Sequence, residues 1–155
     1  MNKNDSKTPS QLEDHLGFWL RFVSNHVSFR FQKLLEVEDV TVTEWVALRT
    51  LWSLGEASHA SLIEAIGMTK GAASKIITRL EEKGLAERQL VNGRAREQSL
   101  HLTAKGKQLV PQLAKLADMN DEHFFGHLSQ SEQTALMVTL KSLVTHHQLK
   151  EIPTA

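Results

Sequence analysis

The sequence predicts a mainly α-helical fold that carries one β-hairpin. Long segments on both sides of residue 90 place apolar residues at every third or fourth position, which is the period of an amphipathic helix. The period changes to two where the segments LAERQLV and REQSLHLT flank Asn92-Gly93, a dipeptide typical of tight hairpin turns. The predicted order is therefore four helices, a hairpin and two helices.

Composition limits the classes of protein that this chain can represent. A length of 155 residues with 41% hydrophobic content fits one globular domain with a real core. The absence of cysteine excludes disulfides, thiolate zinc sites and thiol nucleophiles. The N-terminus MNKNDSKTPSQ lacks the apolar core of a signal peptide, and no apolar run approaches the roughly 18 residues of a membrane span. We expect a cytoplasmic protein with a disordered lead over residues 1–10.

The first two predicted helices have clear boundaries. A long amphipathic helix covers residues 12–36. The second helix begins after Thr41, whose hydroxyl we expect to cap it, and Glu44 completes a capping box. It ends near residue 54, because Gly55 follows.

The next two helices are short and are separated by a glycine turn. Ser58 is the predicted cap of the third helix, and Gly67 turns the chain after it. Thr69 caps the fourth helix, which ends at Gly84 with Leu85 beyond it, as in a Schellman motif. Two such helices at about 58–84, followed by a hairpin at about 86–102, predict a winged helix-turn-helix with a two-stranded β-hairpin wing.

Two helices follow the hairpin. Thr103 is the predicted cap of the first, whose inward face runs through Asn120 as far as Leu128. Pro111 predicts a kink within this helix. Ser131 is the predicted start of the last helix.

The segment TKGAASK, residues 69–75, has the composition expected of a DNA-reading helix tip. Its small residues keep the start of the fourth helix slim, so that this end can approach another molecule closely. The polar face opposite Ile77 can reach phosphates and base edges in a major groove. The alternative is a solvated polar face on a packing helix. The residues predicted to contact DNA are Ser58, His59, Thr69, Lys70, Gly71, Ala72, Ser74, Lys75, Thr78, Arg79, Arg94 and Arg96.

Charge is segregated along the chain although the net charge is zero. Between Met68 and Lys107 there are nine basic and four acidic residues, so this segment carries +5 and the remainder carries −5. A local basic patch is the electrostatic footprint of a phosphate-binding protein. Arg94 and Arg96, beside the hairpin turn, are expected to enter a narrow minor groove; the alternative is that they serve surface solubility.

Three segments in this order, MTKGAASKIITRLEEKGLAER, VNGRAR and LHLTAKG, resemble the MarR family of bacterial transcription regulators. The resemblance implies one domain over residues 11–148 that forms a homodimer, with a helical dimerisation lobe at 11–36 and 103–147 and a DNA-binding lobe at 41–102. It also implies a pseudo-palindromic operator. Family members are commonly repressors released by small phenolic or anionic ligands.

The resemblance also implies roles for individual residues. It places the helix tip, residues 70–75, where the family reads the major groove, and it places Arg94 on the wing arginine. Many members have Asp two residues before that arginine, whereas this chain has Asn92, which can still form a hydrogen bond and favours the turn.

Five side chains on the first two helices indicate a pocket for an effector. Trp45, Arg49 and Trp52 recur on one stripe of the second helix, and His26 and Arg30 are four residues apart on the first. In the family, ligands lie in the cleft beside these helices, and an aromatic wall with a cation suits an aromatic carboxylate. The alternative is that the tryptophans belong to the core and the arginines are solvated.

The segment HFFGH places His123 and His127 four residues apart, a spacing that can hold a transition metal on one helix face. Glu122, His146 and His147 could add ligands after folding. Two histidines are more often surface or interface residues, so we expect no bound metal and no other cofactor. The sequence has no nucleophile elbow and no phosphate-binding loop, so we expect no catalytic residues and no enzymatic activity.

These observations predict a homodimeric, sequence-specific, DNA-binding transcriptional repressor. Its expected partners are double-stranded DNA, a second copy of the chain and a small aromatic or anionic effector. Two other interpretations stay open. A winged-helix protein-interaction module would expose apolar residues on its wing, and a metal-responsive regulator would use the HFFGH histidines.

Overall fold

The computed structural model describes residues 8–91, 94–150 and 152–153, and for residues 91 and 94–98 it describes the backbone alone. A 3₁₀ helix at Leu12–Asp14 precedes the main elements. The helices are α1 (Leu16–Glu36), α2 (Val42–Leu54), α3 (His59–Ile66), α4 (Lys70–Glu82), α5 (Ala104–Phe125) and α6 (Gln130–His146), and the strands are β1 (Glu56–Ser58), β2 (Ala86–Val91) and β3 (Arg94–Leu102). The mainly helical winged helix-turn-helix is therefore confirmed. Residues 1–7 of the predicted disordered lead lie outside the described residues.

The predicted hairpin is confirmed as an antiparallel pair of strands. β2 pairs with β3 from Ala86 opposite Leu102 to Val91 opposite Arg94. The register shifts between Leu90 and Val91, just before the turn. The turn at residues 92–93 lies outside the described part of the chain.

The sheet has a third strand that the sequence analysis did not predict. β1 pairs with β3 on the side away from β2, which gives the order β1-β3-β2. Ala57 lies opposite Leu100, and both side chains are buried. The Ser99 hydroxyl donates a hydrogen bond to the Glu56 carboxylate across the same pair of strands. Three residues are too few to show a strand period in the sequence, so β1 depends on its partner strand.

The core lies where α2, α3 and α4 meet the sheet and the first half of α5. Leu48 and Leu51 of α2, Ile77 and Leu80 of α4, and Leu113 of α5 have no exposed surface. Burial of this many large aliphatic side chains is the main source of stability in a domain of this size. Because α4 turns one face into this core, its opposite face is directed to solvent.

Several helix ends lie where the sequence predicts them. Ser58, Thr69 and Thr103 each accept a hydrogen bond from the backbone N–H three residues later, at 3.1–3.2 Å. Gly84 has a positive φ of 69°, and the N–H of Leu85 donates back into α4 at 2.9 Å. The Schellman end of α4 is therefore confirmed, and glycine is required there because other residues rarely adopt this conformation.

The predicted start of the first helix is wrong by four residues. α1 begins at Leu16, because His15 has an extended backbone with φ −100° and ψ 127°. The short 3₁₀ helix before it is held against α1 by Trp19, whose Nε1 donates to the carbonyl of Glu13 at 2.9 Å. Amphipathic spacing continued through this break and so did not reveal it.

The predicted start of the last helix is wrong by one residue. α6 begins at Gln130 rather than Ser131, and its cap is Ser129. Ser129 and Glu132 form a complete capping box, with the hydroxyl accepting from the Glu132 N–H at 3.2 Å and the carboxylate accepting from the Ser129 N–H at 3.0 Å. The local sequence SQSE offered two serines, and the glutamate three residues after Ser129 selects the first.

The capping box predicted for α2 is only half correct. Thr41 accepts a hydrogen bond from the N–H of Glu44 at 3.1 Å, as expected. The carboxylate of Glu44, however, is 2% exposed and accepts from the Nζ of Lys83 at 2.8 Å. A buried carboxylate needs a charged partner, and the tertiary fold supplies one from α4.

A buried polar residue joins α5 to α1. Asn120 is 3% exposed, accepts a hydrogen bond from the Nη1 of Arg30 at 2.9 Å and donates to the carbonyl of Val27 at 3.1 Å. These two hydrogen bonds explain why the otherwise apolar inward face of α5 contains the polar residue Asn120. The helix continues through Pro111 as one element, and the predicted kink stays a prediction.

Large apolar side chains on α1 and α6 are exposed in the single chain. They are Leu16, Trp19, Leu20, Phe22 and Val23 on α1, and Leu136, Met137, Leu140, Leu143 and Val144 on α6. Exposed apolar surface of this extent is typical of protein interfaces. The predicted dimerisation lobe stays a prediction. None of the helices in the described part of the chain combines the length and the apolar character that a membrane-spanning segment needs.

Candidate nucleic-acid interface

The helix-turn-helix is formed by α3 and α4, which are joined by a left-handed turn at Gly67, with φ 72° and ψ 28°. Leu62 and Ile66 of α3 and Ile77 of α4 are buried in the core. These contacts fix the two helices to the domain through one face of each. The first turns of α4 are left on the surface.

The tip of α4 is slim, exposed and positively charged. Lys70, Gly71, Ala72 and Lys75 are all exposed. A Cβ atom added at Gly71 would meet no other atom within 4 Å, so the packing of this chain does not explain the missing side chain. Thr69 caps the helix, and the remaining free N–H groups at this end favour a negatively charged partner.

The next turn of α4 carries hydroxyls and another cation. The Thr78 hydroxyl donates to the carbonyl of Ser74 at 2.9 Å, which leaves its oxygen able to accept. Ser74 is half-buried, whereas Thr78 and Arg79 are exposed. Thr78 and Arg79 lie on the exposed side of α4, and Ser74 lies at the edge of that side. The predicted contact residues of the fourth helix therefore lie on one exposed side of the helix or at its edge.

The start of α3 lies beside this surface. The Ser58 hydroxyl caps α3 by accepting a hydrogen bond from the N–H of Ser61. It also forms a hydrogen bond with the Ser61 hydroxyl at 2.9 Å. The Nε2 atom of His59 is buried and has no hydrogen-bond partner among the described residues. Burial lowers the pKa of His59, the positive charges of Arg88 and Lys70 lower it further, and Glu81 opposes them. The neutral ring is therefore favoured in the free protein.

Some basic residues of the positive segment are bound to carboxylates within the chain. Arg88 pairs with Glu81 at 2.6 Å, and Lys83 pairs with Glu44 at 2.8 Å. The sequence analysis counted these side chains with the rest of the basic patch. Because such pairs neutralise charge locally, the surface available to phosphate is centred on the α4 tip rather than on the whole segment.

The wing is described by its backbone near the turn. Arg94 and Arg96 lie on β3, but their side chains fall outside the described residues. The base of the wing is fixed, because Ala86 and Leu102 are buried where β2 and β3 leave the core. The minor-groove roles of the two arginines stay predictions.

The five predicted effector residues do not gather around one cavity. Trp45 packs edge-on against Phe31, with ring centroids 6.3 Å apart, and both line a cavity of about 270 Å³ formed by α1, α2 and Pro153. Trp52 lines a different cavity, of about 230 Å³, with Leu102 and Lys107. The two tryptophans are on the same helix, as their spacing predicts, but different parts of the chain pack against them.

The three predicted cationic or polar members of that pocket have partners within the chain. Arg30 donates to Asn120, and Arg49 donates to the Ser53 hydroxyl at 2.8 Å. His26 lies against Phe22, with ring centroids 5.2 Å apart. Phe31 was not among the predicted pocket residues, because its contact with Trp45 joins two different helices and has no local signal in the sequence.

The histidines of HFFGH are exposed near the end of α5. His123 lies edge-on to Phe124, with ring centroids 4.9 Å apart. His127 follows the helix and is also exposed. Within the described ranges, the structure brings together no group of three or more side chains of the metal-ligating types.

Comparisons with known proteins agree with this geometry. A profile described as MarR family matches residues 40–91, which include α2, α3, α4 and β2. The transcriptional regulator HosA of Escherichia coli is 28% identical over 109 residues, which cover 70% of this chain and 81% of HosA. A mutant of Escherichia coli MarR complexed with operator DNA has a TM-score of 0.74 at 21% identity, over 83% of this chain and 93% of that chain. Residues 40–91 of this chain therefore match the MarR family, and most of the chain shares the fold of MarR-type regulators.

The MarR-family fold extends beyond the segment that the profile matches. A structure that addresses the regulation of DNA binding of Bordetella bronchiseptica BpsR by 6-hydroxynicotinic acid has a TM-score of 0.75 at 22% identity. The structural match covers 88% of this chain and 97% of the BpsR chain. At such identities the likeness establishes the fold. A coverage of 88% extends beyond residues 40–91 into the helices that flank the DNA-binding lobe.

Proposed function

We propose that this protein is a sequence-specific DNA-binding transcriptional regulator of the MarR type that acts as a homodimeric repressor. Each subunit places the tip of α4 in a major groove and the β2–β3 wing in the flanking minor groove. One observation carries the proposal: Gly71 has open space around it at an exposed, capped helix tip that also presents Lys70 and Lys75. A slim, positive helix end suits close approach to phosphates and base edges.

The second subunit is a copy of the same chain. The exposed apolar residues of α1 and α6 form a surface whose contact with water is unfavourable. A symmetric dimer buries the same surface on both copies. Two reading helices related by a two-fold axis bind an inverted repeat whose half-sites are about 34–36 Å apart, one turn of duplex. Such a regulator works where the chromosome lies, which places it in the cytoplasm.

The effector that we propose is a small aromatic molecule with a few polar groups. BpsR, which shares the fold, is described as regulated in DNA binding by 6-hydroxynicotinic acid. In this chain the cavity beside Trp45 and Phe31 has aromatic and aliphatic walls and two polar side chains, Ser28 and Gln32. Such a lining suits a flat ring that carries a few polar groups. The effector acts only through its difference in affinity between the DNA-competent and incompetent states.

Binding to DNA from the region upstream of the gene, titrated with salt, tests the main proposal. We expect the logarithm of the binding constant to fall linearly with the logarithm of salt concentration, by about 0.9 for each phosphate neutralised. Lys75→Ala should weaken binding and reduce that slope by about 1.8, because the dimer loses one phosphate contact in each subunit. Lys115→Ala, which removes an exposed lysine from α5, is the matched control and should behave as wild type.

A negative result on the upstream fragment is followed by selection from random duplexes. Recovery of an inverted repeat, bound by two chains, supports the proposal. If no duplex is enriched, or if Lys75→Ala and Lys115→Ala change binding equally, the proposed DNA-reading role of α4 is wrong.

A further inference from the structure

A buried ion pair fixes the end of α4 that lies opposite its DNA-reading tip. Lys83 is the C-cap residue of α4, and its Nζ donates to the carboxylate of Glu44 on α2 at 2.8 Å. The Glu44 side chain is 2% exposed and that of Lys83 is 28% exposed. The pair therefore joins two helices that pack against each other in the core, and its carboxylate is shielded from water.

The same ammonium group also reaches the connection between α1 and α2. Lys83 Nζ donates to the backbone carbonyl of Asp39 at 2.6 Å. Asp39 has a positive φ of 56°, so this turn adopts a conformation that is uncommon for a residue with a side chain. A single lysine thus connects α4, α2 and the α1–α2 turn.

The first turn of α5 holds the carbonyl groups at the same end of α4. Lys105 Nζ donates to the carbonyl of Lys83 at 2.9 Å, and the Thr103 hydroxyl donates to the carbonyl of Gly84 at 2.6 Å. The backbone N–H of Thr103 donates to the carbonyl of Leu85 at 3.0 Å. Positively charged groups at a helix C-terminus are also favoured by the helix dipole.

We infer that Lys83 is a positioning residue for DNA recognition, which acts by fixing the direction of α4 and contacts no DNA itself. This inference rests on the proposed function. The Lys83 end of α4 carries the ion pair and the hydrogen bonds to α5, whereas Lys70 at the other end is exposed. The direction of the helix therefore depends on the contacts at the Lys83 end as well as on its buried face.

The length of α4 explains why the fixed end matters. Its 13 residues make a helix about 20 Å long. A tilt of about 10° at the Lys83 end therefore moves the tip by about 3 Å, by the same geometry. Hydrogen bonds to base edges need donor–acceptor distances within a few tenths of an ångström of about 2.9 Å. Base contacts are lost by such a tilt, whereas contacts to the regularly spaced phosphates adapt to it.

The test compares affinity for operator DNA with affinity for a shuffled duplex of the same length, at several salt concentrations. The operator duplex is the inverted repeat that wild type selects. The main variant is Glu44→Met with Lys83→Met, because replacing both members of a buried ion pair by apolar groups is far less destabilising than removing one. We expect the ratio of operator to shuffled affinity to fall at least about tenfold, the equivalent of one lost base contact. The salt slope should stay at the wild-type value, since no phosphate contact is removed.

Two further variants complete the test. Lys33→Met removes a lysine that pairs with Glu36 at 3.0 Å on α1 and is 55% exposed; it should keep the wild-type ratio. Glu44→Gln keeps a side-chain oxygen that accepts from Lys83 but removes the buried charge, so it should fold and lower the ratio by a smaller factor of about three. Circular dichroism and sedimentation establish that each variant is folded and dimeric.

Each outcome supports or overturns the inference. An unchanged ratio in the folded double variant overturns it, and if that variant does not fold, an unchanged ratio in Glu44→Gln overturns it instead. A salt slope reduced by about 1.8 means that Lys83 contacts a phosphate in each subunit, which also overturns it. If wild type itself prefers no duplex, it is the proposed function that fails, which separates the two results.

Discussion

Gly106 of α5 lies directly against the backbone carbonyl of Leu85, so closely that a Cβ atom at position 106 would overlap the carbonyl oxygen. The same Cβ would stand 3.3 Å from a methyl group of Leu102. The carbonyl cannot move away without breaking its hydrogen bond from the N–H of Thr103. Glycine at this position is therefore required by the contact between α5 and the end of α4.

The first prediction concerns this contact. Gly106→Ala should lower the free energy of unfolding by about 1–3 kcal/mol, as overpacking in a well-packed region does. Urea denaturation measures the change. Gly17→Ala is the control, because a Cβ at position 17 of α1 would meet nothing within 4 Å, and alanine is the better helix former. Equal stability of the two variants would contradict the assignment.

The second prediction concerns Gly71, where stability and DNA binding should move in opposite directions. Gly71→Ala adds a methyl group in open space within a helix, so it should raise the free energy of unfolding by up to about 1 kcal/mol. The same methyl group should weaken operator binding, because it lies on the surface that we propose to face the groove. Thermal denaturation and fluorescence anisotropy measure the two effects. A variant that is both more stable and fully active would remove Gly71 from the interface.

The third prediction distinguishes the two tryptophan cavities. Calorimetric titration with 6-hydroxynicotinic acid should give about tenfold weaker binding for Trp45→Ala than for wild type, since an aromatic contact and its buried area are lost. Trp52→Ala is the matched control on the same helix and should bind as wild type, because Trp52 lines a different cavity. Equal losses in both variants would show that the cavity beside Phe31 is not the binding site.

The fourth prediction is a pH dependence of stability that arises from His59. Burial lowers the pKa of this side chain below its ordinary value of 6.5, so the unfolded chain takes up a proton at a higher pH than the folded chain does. The stability that neutral His59 contributes is present above pH 6.5 and is lost as the pH falls through the lowered pKa.

Urea denaturation at a series of pH values from 7.5 downward tests this dependence. His59→Asn should be less sensitive to the fall in pH than wild type. His127→Asn changes an exposed histidine and is the control; it should keep the wild-type dependence. If His59→Asn loses stability with falling pH as steeply as wild type does, the dependence arises elsewhere.

Local signals in the sequence predicted the ends of α4 correctly. The cap at Thr69 and the Schellman end at Gly84 each depend on hydrogen bonds between groups a few residues apart. The hairpin followed from a change of period and a turn dipeptide, which are also local. The slim, basic tip of α4 could be predicted from the sequence for the same reason, because it depends on composition within two turns of one helix.

Contacts between residues far apart in the sequence could not be predicted from such local signals. Glu44 had a local partner available in the capping box, yet its carboxylate pairs with Lys83, 39 residues later. Arg30 was assigned to an effector and instead donates to Asn120, 90 residues later. Trp45 and Trp52 share a stripe of α2 but line different cavities, because different helices and strands pack against each end of that stripe.

The sequence by itself determined the order of the six main helices and the hairpin, the caps of most helices, the apolar face of each helix and the position of the slim, basic tip of α4. These features follow from periodicity and from contacts within one or two turns, which any folded arrangement of the chain must respect. Only the tertiary structure decided which charged side chains are paired inside the protein and which stay available at its surface. The reason is that a buried carboxylate such as that of Glu44 must take a charged partner, and the packing of α2 against α4 determines that the partner is Lys83.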